Sequence, residues 1–487
     1  MSDATGLEPR PDDAAAPRPS DSSSSSDPSS LAPEPPFEAE DLETRADEIS
    51  RLLERDDASG VLEQLEDMHP SDIADLVEQL EDVDEQVRLL EMLPAELSAD
   101  TLAEIESHEH PEELLTSFEP RRLAELIAEM PDDDAVDLIG ELPAEEQARV
   151  LATLPQVEAG ALRKLLHYDE ESAGGIMTTE LVAVPMHLTA AQALAEVRRQ
   201  AQEMTEHFYA IYVVDAYRRL QGTVGLQDLV VSNPDTPIDK LFEPPVATVP
   251  VDLDQEHVAR LMARYNVPSL PVVGPNDALL GRITFDDVLD VIEAEQTEDI
   301  FRLAGVSEEE EVRGGFVDAV RSRLPWLFLN LITASLAALV VVFFQDTIGE
   351  LVILAAVMPV IAGMGGNAGT QTLAVTVRRL ALSDEPSGRR WDVAAKEMLV
   401  GLTNGAALGT AAGLIAWIIA DVPMFGVVVL LAMWGNLVIA SLAGAFVPIL
   451  LERAGKDPAV ASSVFVTTFT DVFGFFLLLG LASALLL

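Results

Sequence analysis

The run Pro458–Leu487, PAVASSVFVTTFTDVFGFFLLLGLASALLL, contains a single ionisable residue, Asp471. Its 30 residues are otherwise apolar or weakly polar, long enough to cross a bilayer as a helix. A carboxylate near the middle of such a span costs about 2.5–3.5 kcal/mol on insertion scales. No Lys, Arg or His lies in any other candidate span to neutralise it. An acid so placed marks an ion path, or else a carboxyl group hydrogen-bonded to a neighbouring helix.

Upstream, Leu324–Gln345, Leu351–Val377, Met398–Ala420 and Val422–Leu451 are further uncharged or nearly uncharged runs, each of at least 22 residues. Five crossings are therefore expected. The second-to-third connection contains Arg378, Arg379, Arg389, Arg390 and Lys396, and the fourth-to-fifth contains Arg453 and Lys456. The other two contain only Asp346, Glu350 and Asp421. The bias of basic residues toward the cytoplasm puts the N-terminal part inside and the C-terminus outside.

The charge is divided as sharply as the hydropathy. After Val320 there are ten acidic and nine basic residues, whereas the first 320 positions carry 73 and 21, a net charge of −52. A water-soluble acidic front is thus joined to a nearly neutral membrane part. Lysine is almost absent (Lys164, Lys240, Lys396 and Lys456). An acid-rich, lysine-poor surface suits a very salty cytoplasm and a halophilic source, so any one surface Asp or Glu is first of all a solvating group. Nucleic-acid binding would need the opposite sign. The absence of cysteine excludes disulfides, thiolate metal sites and cysteine nucleophiles. All seven histidines precede Val258. With no Cys or His and one acid in the candidate spans, no catalytic pair for an intramembrane enzyme is evident. Met1–Pro36 is Ser/Pro/Asp-rich and low in complexity, read as a disordered tail without a signal peptide.

From Leu42 to Leu166 short amphipathic runs end at regular proline or polar breaks, as in QVRLLEMLP, RRLAELIAEMP, DDDAVDLIGELP and EEQARVLATLP. Helices this short cannot bury a face alone and should stack as a small solenoid. From Ser172 to Ala294 strands alternate with helices, and one unit occurs twice. YAIYVVDAYRRLQGTVGLQDLV and VPSLPVVGPNDALLGRITFDDVLD each run strand, turn, glycine (Gly222, Gly281), strand, and a helix opened by Asp228 or Asp287, with both pairs 59 residues apart. Each is preceded by a Val-Pro strand, at Val184-Pro185 or Val249-Pro250. The pair resembles tandem cystathionine-β-synthase (CBS) modules, which pack as a flat sensor. Gly225 departs from that pattern by standing where the first unit would carry Ser or Thr. Glu293–Arg323 reads as a helix-rich connector broken at Gly305 and Gly314-Gly315.

The second span contains PVIAGMGGNAGTQT, from Pro359 to Thr372. As a phosphate loop it would need a following lysine, which is missing. Its small residues allow close helix packing, but packing does not require Asn367, Thr370, Gln371 and Thr372. Those add carbonyl and hydroxyl oxygens suited to a hard cation or its hydration shell. The fifth span adds Thr467, Thr468, Thr470 and Asp471, with Asn404 and Asn436 as further wall groups. Mg2+ sheds water reluctantly and is held through one or two carboxylates with waters retained. Two Asp471 side chains about a dimer axis would suit it.

GGNAGTQT and TTFTDVFGF, behind a helical acidic domain and paired CBS modules, resemble the MgtE-type magnesium channel and transporter family from about Leu42 to Leu487. The resemblance implies a multi-domain membrane protein. Its parts are a disordered tail (1–41), an α-helical solenoid N-domain (42–171), an α/β tandem CBS domain (172–294), a connecting helix region (295–323) and a five-helix transmembrane pore domain (324–487). It also implies a homodimer in the lipid bilayer, with Asp471 as selectivity carboxylate and Asn367, Thr370, Gln371, Thr467 and Thr468 along the path. By motif match, regulatory Mg2+ would bind Asp133, Asp137, Asp254, Glu256, Asp287, Asp290, Glu295, Glu298, Asp299 and Asp457, closing the pore until ion loss lets like charges separate. Asp228 and Thr284 would hold ATP if a nucleotide modulates the channel. Thr370, where relatives often carry Asn, and Asn266, where a relative presents a carboxylate, depart from the pattern. A carrier of Mn2+ or Co2+, or a proton-coupled carrier, is the alternative, since oxygen ligands do not sharply separate these ions.

Overall fold

The structure is a computed structural model; it describes residues 39–487 except 67, 81, 106–110, 203, 205–206, 307–314, 383–389, 455 and 460–461. The expected tail lies outside the described residues up to position 38, and its last positions belong instead to the first helix.

Among the described residues the front of the chain is built from ten helices: α1 (Ala39–Glu54), α2 (Ala58–Leu65), α3 (Pro70–Glu78), α4 (Val83–Met92), α5 (Ala95–Ala103), α6 (Pro111–Ser117), α7 (Pro120–Ile127), α8 (Asp132–Gly140), α9 (Ala144–Thr153) and α10 (Gln156–Leu165). Pro94, Pro131, Pro143 and Pro155 are the N-caps of α5, α8, α9 and α10. A proline disfavours helical backbone at the residue before it and pre-sets φ for the next helix, so each Leu-Pro or Met-Pro is both stop and start. The residue before each proline, Leu93, Met130, Leu142 or Leu154, is buried, which holds the corner against the core. Helices two apart in sequence pack together, α3 on α5, α5 on α7 and α7 on α9, the stacking expected of a solenoid.

Two three-stranded sheets follow. In the first, β1 (Val182–Pro185) and α11 (Ala190–Gln200) lead to β2 (Ile211–Val214), β3 (Leu220–Val224) and α12 (Leu226–Val231). In the second, β4 (Val249–Pro250) and α13 (Gln255–Tyr265) lead to β5 (Ser269–Val273), β6 (Leu279–Thr284) and α14 (Phe285–Ala304). The 59-residue repeat holds in the hydrogen-bond register: Val213 faces Gly222 and Val272 faces Gly281, with an irregularity one residue later in both. Both glycines admit a third backbone segment. A side chain at Gly222 would lie 2.4 Å from the Glu243 carbonyl, and one at Gly281 would lie 2.5 Å from that of Thr178. The units meet through the buried Tyr212 hydroxyl, 2.9 Å from Ser269 Oγ. The solenoid shares one apolar core with the second unit, where Ala173 and Met177 join Val258, Ile283 and Val288.

Two boundaries differ from the sequence expectation. The two repeat helices begin at Leu226 and Phe285, so Asp228 and Asp287 sit in the first turn rather than at the start. The connector has no separate helix at Glu295: α14 runs unbroken to Ala304 and ends at Gly305, whose φ of +74° favours glycine. Gly314 lies outside the described residues.

The membrane part comprises α15 (Phe316–Phe343), the short α16 (Gln345–Glu350), α17 (Ile353–Leu382), α18 (Arg390–Ala420), α19 (Pro423–Arg453) and α20 (Ser462–Leu485). All but α16 are long and apolar enough to cross a membrane. α19 is the most buried and packs against α17, α18 and α20. Its contact with α18 uses glycines every four residues, Gly401, Gly405, Gly409 and Gly413. A side chain at Gly405 would lie 2.6 Å from Trp434, and one at Gly413 2.6 Å from the Gly426 carbonyl. Such spacing lets backbones approach where lipid offers no hydrophobic drive.

Candidate ion path and acidic sites

α17 and α20 pack through small residues. At Gly369 a side chain would lie 2.4 Å from Val466 Cγ1, and at Gly365 it would lie 3.2 Å from Thr470 Cβ. The glycines of GGNAGTQT at 365 and 369 thus serve packing, while Asn367 and Thr370 lie on the exposed side of α17. On α20, Thr467 and Thr468 are the residues four and three before Asp471, so the three share a face; all are partly exposed. Thr470 points elsewhere and is fully buried.

The hydroxyls have their protons committed. Thr370 donates to the Gly366 and Asn367 carbonyls, each at 3.1 Å. Thr467 donates to Ser463 O at 2.8 Å and Thr468 to Val464 O at 2.6 Å. A hydroxyl so engaged offers only lone pairs outward, which suits a cation's water shell.

Four expected wall residues, Gln371, Thr372, Asn404 and Asn436, lie elsewhere. Gln371 and Asn404 line a cavity of about 260 Å3 with Thr372, Lys396, Glu397 and Ser441; Asp471 is not among its walls. Asn436 is fully buried inside the bundle. Glu397 corrects the reading of one acid in the spans. Because α18 starts at Arg390, this carboxylate is carried inside the bundle, 5 % exposed, accepting from Thr372 Oγ1 at 3.4 Å and 3.4 Å from Lys396 Nζ. In sequence it stands among Asp392 and Lys396 and reads as loop.

The ten acidic candidates fall into three places. Asp133 is buried in the first turn of α8, and Asp137 follows one turn later. Asp137 reaches solvent, but packing around its carboxyl, then Glu170, Asp287 and Glu141, push its pKa up to about 6. Asp287 and Asp290 on α14 join this face. Burial raises both; Thr284 lowers Asp287, while Asp287 and Glu104 raise Asp290 further. Glu104 comes from the solenoid, a member missing from the sequence reading.

The second group is Asp254, Glu256 and Glu295. Burial raises Glu256 and Glu295, and His257 joins Asp254 and Glu256 closely enough for a shared ion. Asp254 also caps α13, accepting from Glu256 N at 3.0 Å. Asn266 ends that helix with φ +50°, a left-handed conformation Asn adopts readily, which explains an amide at this position.

The third group joins front and membrane. Arg302 pairs with both Glu298 and Asp457. Asp299 is raised by burial and Asp457, against the pull of Arg378 and Arg302. The next residue, Leu303, packs against the buried apolar cluster of Leu373, Val377, Ala459 and Val466 at the membrane helices. Asp457 therefore already faces a guanidinium, and Arg302 is a partner the sequence reading missed.

The nucleotide candidates differ from one another. Thr284 is 2 % exposed and donates to Asp287 Oδ2 at 2.5 Å, while Asp287 accepts from Thr284 N at 3.1 Å. This is a capping arrangement. In the first unit Gly225 has no such group; Asp228 is exposed and folds back so that a side chain at Gly225 would lie 2.8 Å from its Oδ2.

Five membrane-length helices with α19 at their centre, a lone carboxylate among committed hydroxyls, and an acidic paired-sheet front joined by α14 define a membrane transport protein. The signature described as "Divalent cation transporter" matches residues 358–481, "MgtE intracellular N domain" matches 68–171, and "CBS domain" matches 173–232 and 238–294. The chain belongs to the MgtE family. It is 36 % identical to the magnesium transporter MgtE of Thermus thermophilus over 90 % of this chain and 98 % of that one. With that of Enterococcus faecalis it is 39 % identical over 67 % and 72 %. Among solved structures, the soluble part of a magnesium transporter covers 52 % of this chain and 99 % of its own, at 33 % identity and TM-score 0.47. The cytosolic domain of the Mg2+ channel MgtE in complex with ATP covers 50 % and 99 %, at 36 % identity and TM-score 0.47.

Proposed function

We propose that this chain conducts Mg2+ across the cytoplasmic membrane and is closed by cytoplasmic Mg2+ bound between its acidic faces. The observation that carries the reading is Asp471 on the same face of α20 as two threonines whose protons are already given to the helix. A fixed negative charge with neutral acceptors attracts a hydrated divalent cation without stripping it. One carboxylate per chain suits such an ion best when two chains meet, so the working unit is a homodimer with the path between copies. The acidic front lies in the cytoplasm and the C-terminus outside, following the basic connections. The role is transport and not catalysis.

For the gate, Asp137, Asp287 and Asp290 from two units crowd one another, and a divalent ion relieves that repulsion. It therefore binds the packed arrangement preferentially. ATP has at most a modulating place: the Thr284 hydroxyl is engaged by Asp287, leaving Asp228 as the open group.

Uptake of Mg2+, Mn2+, Co2+ and Ca2+ into liposomes holding the purified full chain, with Asp471→Ala alongside, tests this reading. Mg2+ should enter with the wild-type chain and not with the variant. Equal Mg2+ flux in both would remove Asp471 from the path, and preference for Mn2+ or Co2+ would change the substrate. Uptake that follows an imposed pH gradient would mark a proton-coupled carrier.

A further inference from the structure

Asn436 sits near the middle of α19, is 0 % exposed, and touches both helices that carry the candidate ion path. Its Nδ2 donates to the Ile361 carbonyl of α17 at 2.9 Å. Among the described residues, its Oδ1 has no hydrogen-bond partner. The amide lies in a slot made by two glycines. A side chain at Gly365 of α17 would lie 2.3 Å from Nδ2, and one at Gly474 of α20 would lie 2.8 Å from Nδ2 and 3.0 Å from Oδ1. Gly365 also faces Thr470, the neighbour of Asp471. The amide is therefore wedged at a three-helix junction, one turn along α20 from Asp471.

We propose that Asn436 is a positioning residue for ion selection, setting the separation of α17 and α20 and hence of the oxygen groups on them. An apolar residue of this size would fill the slot without burying an unpaired oxygen, so filling space does not by itself call for an amide. What the amide adds is direction. Its donation to Ile361 holds α19 in one register along α17, and the glycines let α20 close on the same group. Asn367 and Thr370 on α17, and Thr467, Thr468 and Asp471 on α20, inherit their spacing from this junction. Discrimination between Mg2+ in its tightly held octahedral water shell and Ca2+, a larger ion with a looser and more variable shell, depends on that spacing, because Mg2+ demands near-ideal geometry. Charge attraction at Asp471 does not, so the rate should change less than the choice of ion.

The inference rests on the Mg2+ transport reading. Mg2+ and Ca2+ uptake would be measured for full-length wild type, Asn436→Leu, Gly474→Ala and Gly349→Ala in proteoliposomes, with Asp471→Ala as the zero. Leu keeps the volume and removes the amide; Gly474→Ala presses on it from the other side. Gly349, on α16 with nothing within 4 Å of an added side chain, is the control. In both Asn436→Leu and Gly474→Ala, Ca2+ uptake should rise about tenfold relative to Mg2+, the scale of one directed hydrogen bond, with Gly349→Ala unchanged. Retention of the wild-type ratio in Asn436→Leu, whatever its total rate, would overturn the proposal. If that variant does not yield folded protein, the ratio in Gly474→Ala decides in the same way. Failure of the wild type to carry Mg2+ would instead sink the transport reading, and this inference with it.

Discussion

Asp471 and Asp137 are two carboxylates that the fold treats in opposite ways. Asp471 stands alone on α20, with threonine oxygens on its face and no other acid in its span. Asp137 stands in a crowd: burial of its carboxyl first, then Glu170, Asp287 and Glu141, raise its pKa to about 6. An isolated charge in an apolar medium attracts any cation that arrives. A cluster of like charges is instead a stored repulsion, whose relief depends on how many cations are present. The first is suited to passage and the second to sensing, and α14 joins the two, carrying Asp287 and Asp290 near one end and Arg302 and Leu303 at the other.

The contrast can be broken at either side, and the largest effect is expected in the membrane. Asp471→Asn should lose Mg2+ uptake as fully as Asp471→Ala in the liposome assay, because the charge and not the shape attracts the ion. Substantial flux in the Asn variant would assign the selection to the threonines. Arg302→Ala should come next. With the guanidinium that Glu298 and Asp457 share removed from the joint, protease protection of the front by Mg2+ should persist while flux ceases to follow it. Flux that still tracks protection would place the coupling in the Leu303 packing instead.

Asp137→Asn should leave transport intact. It should raise protection of the Asp169–Gly175 segment without Mg2+ and shrink the gain on adding it, shifting the midpoint by up to about tenfold, the scale of one charged contact. An unshifted midpoint would mean that Asp137 only solvates.

The same cluster has a pH signature. With its carboxyl raised from 3.8 to about 6, Asp137 ionises in the separated state before it does so in the packed state. The penalty on packing is absent below about pH 4, grows between the two values, and is complete above about 6. Lowering the pH from 7 to 5 in Mg2+-free buffer should therefore tighten the front, read as slower proteolysis; faster proteolysis would reverse the sign. The smallest effect is local. Thr284→Ala removes the hydroxyl that donates to Asp287 in the α14 cap and should cost about 1 kcal/mol in urea unfolding of the front, whereas the matching position of the first unit is already Gly225.

Much of this was legible in the residues. The five membrane segments follow from apolar length, the solenoid corners from Leu-Pro and Met-Pro, and the sheet pair from a 59-residue offset that reappears in strand register. The acidic candidates were legible as a set but not as groups, since Glu104 and Glu170 join them only through chain segments far apart in sequence, and Arg302, one turn from Glu298, reaches Asp457 155 positions away. Glu397 was hidden because loop-like neighbours surround it, although helix α18 carries it into the bundle.

Composition and periodicity alone determined that an acidic soluble front precedes a five-span membrane part holding the lone acid Asp471 in its last span. They act through local forces, hydration of charges and burial of apolar faces, which each segment expresses by itself. Which oxygens face the path and which face a neighbouring helix was decided only by tertiary packing. Thr470 and Gln371 offer the same hydroxyl and amide oxygens as Thr467 and Asn367 on the same helices. What separates them is rotation about a helix axis, set by where glycine lets the next helix approach.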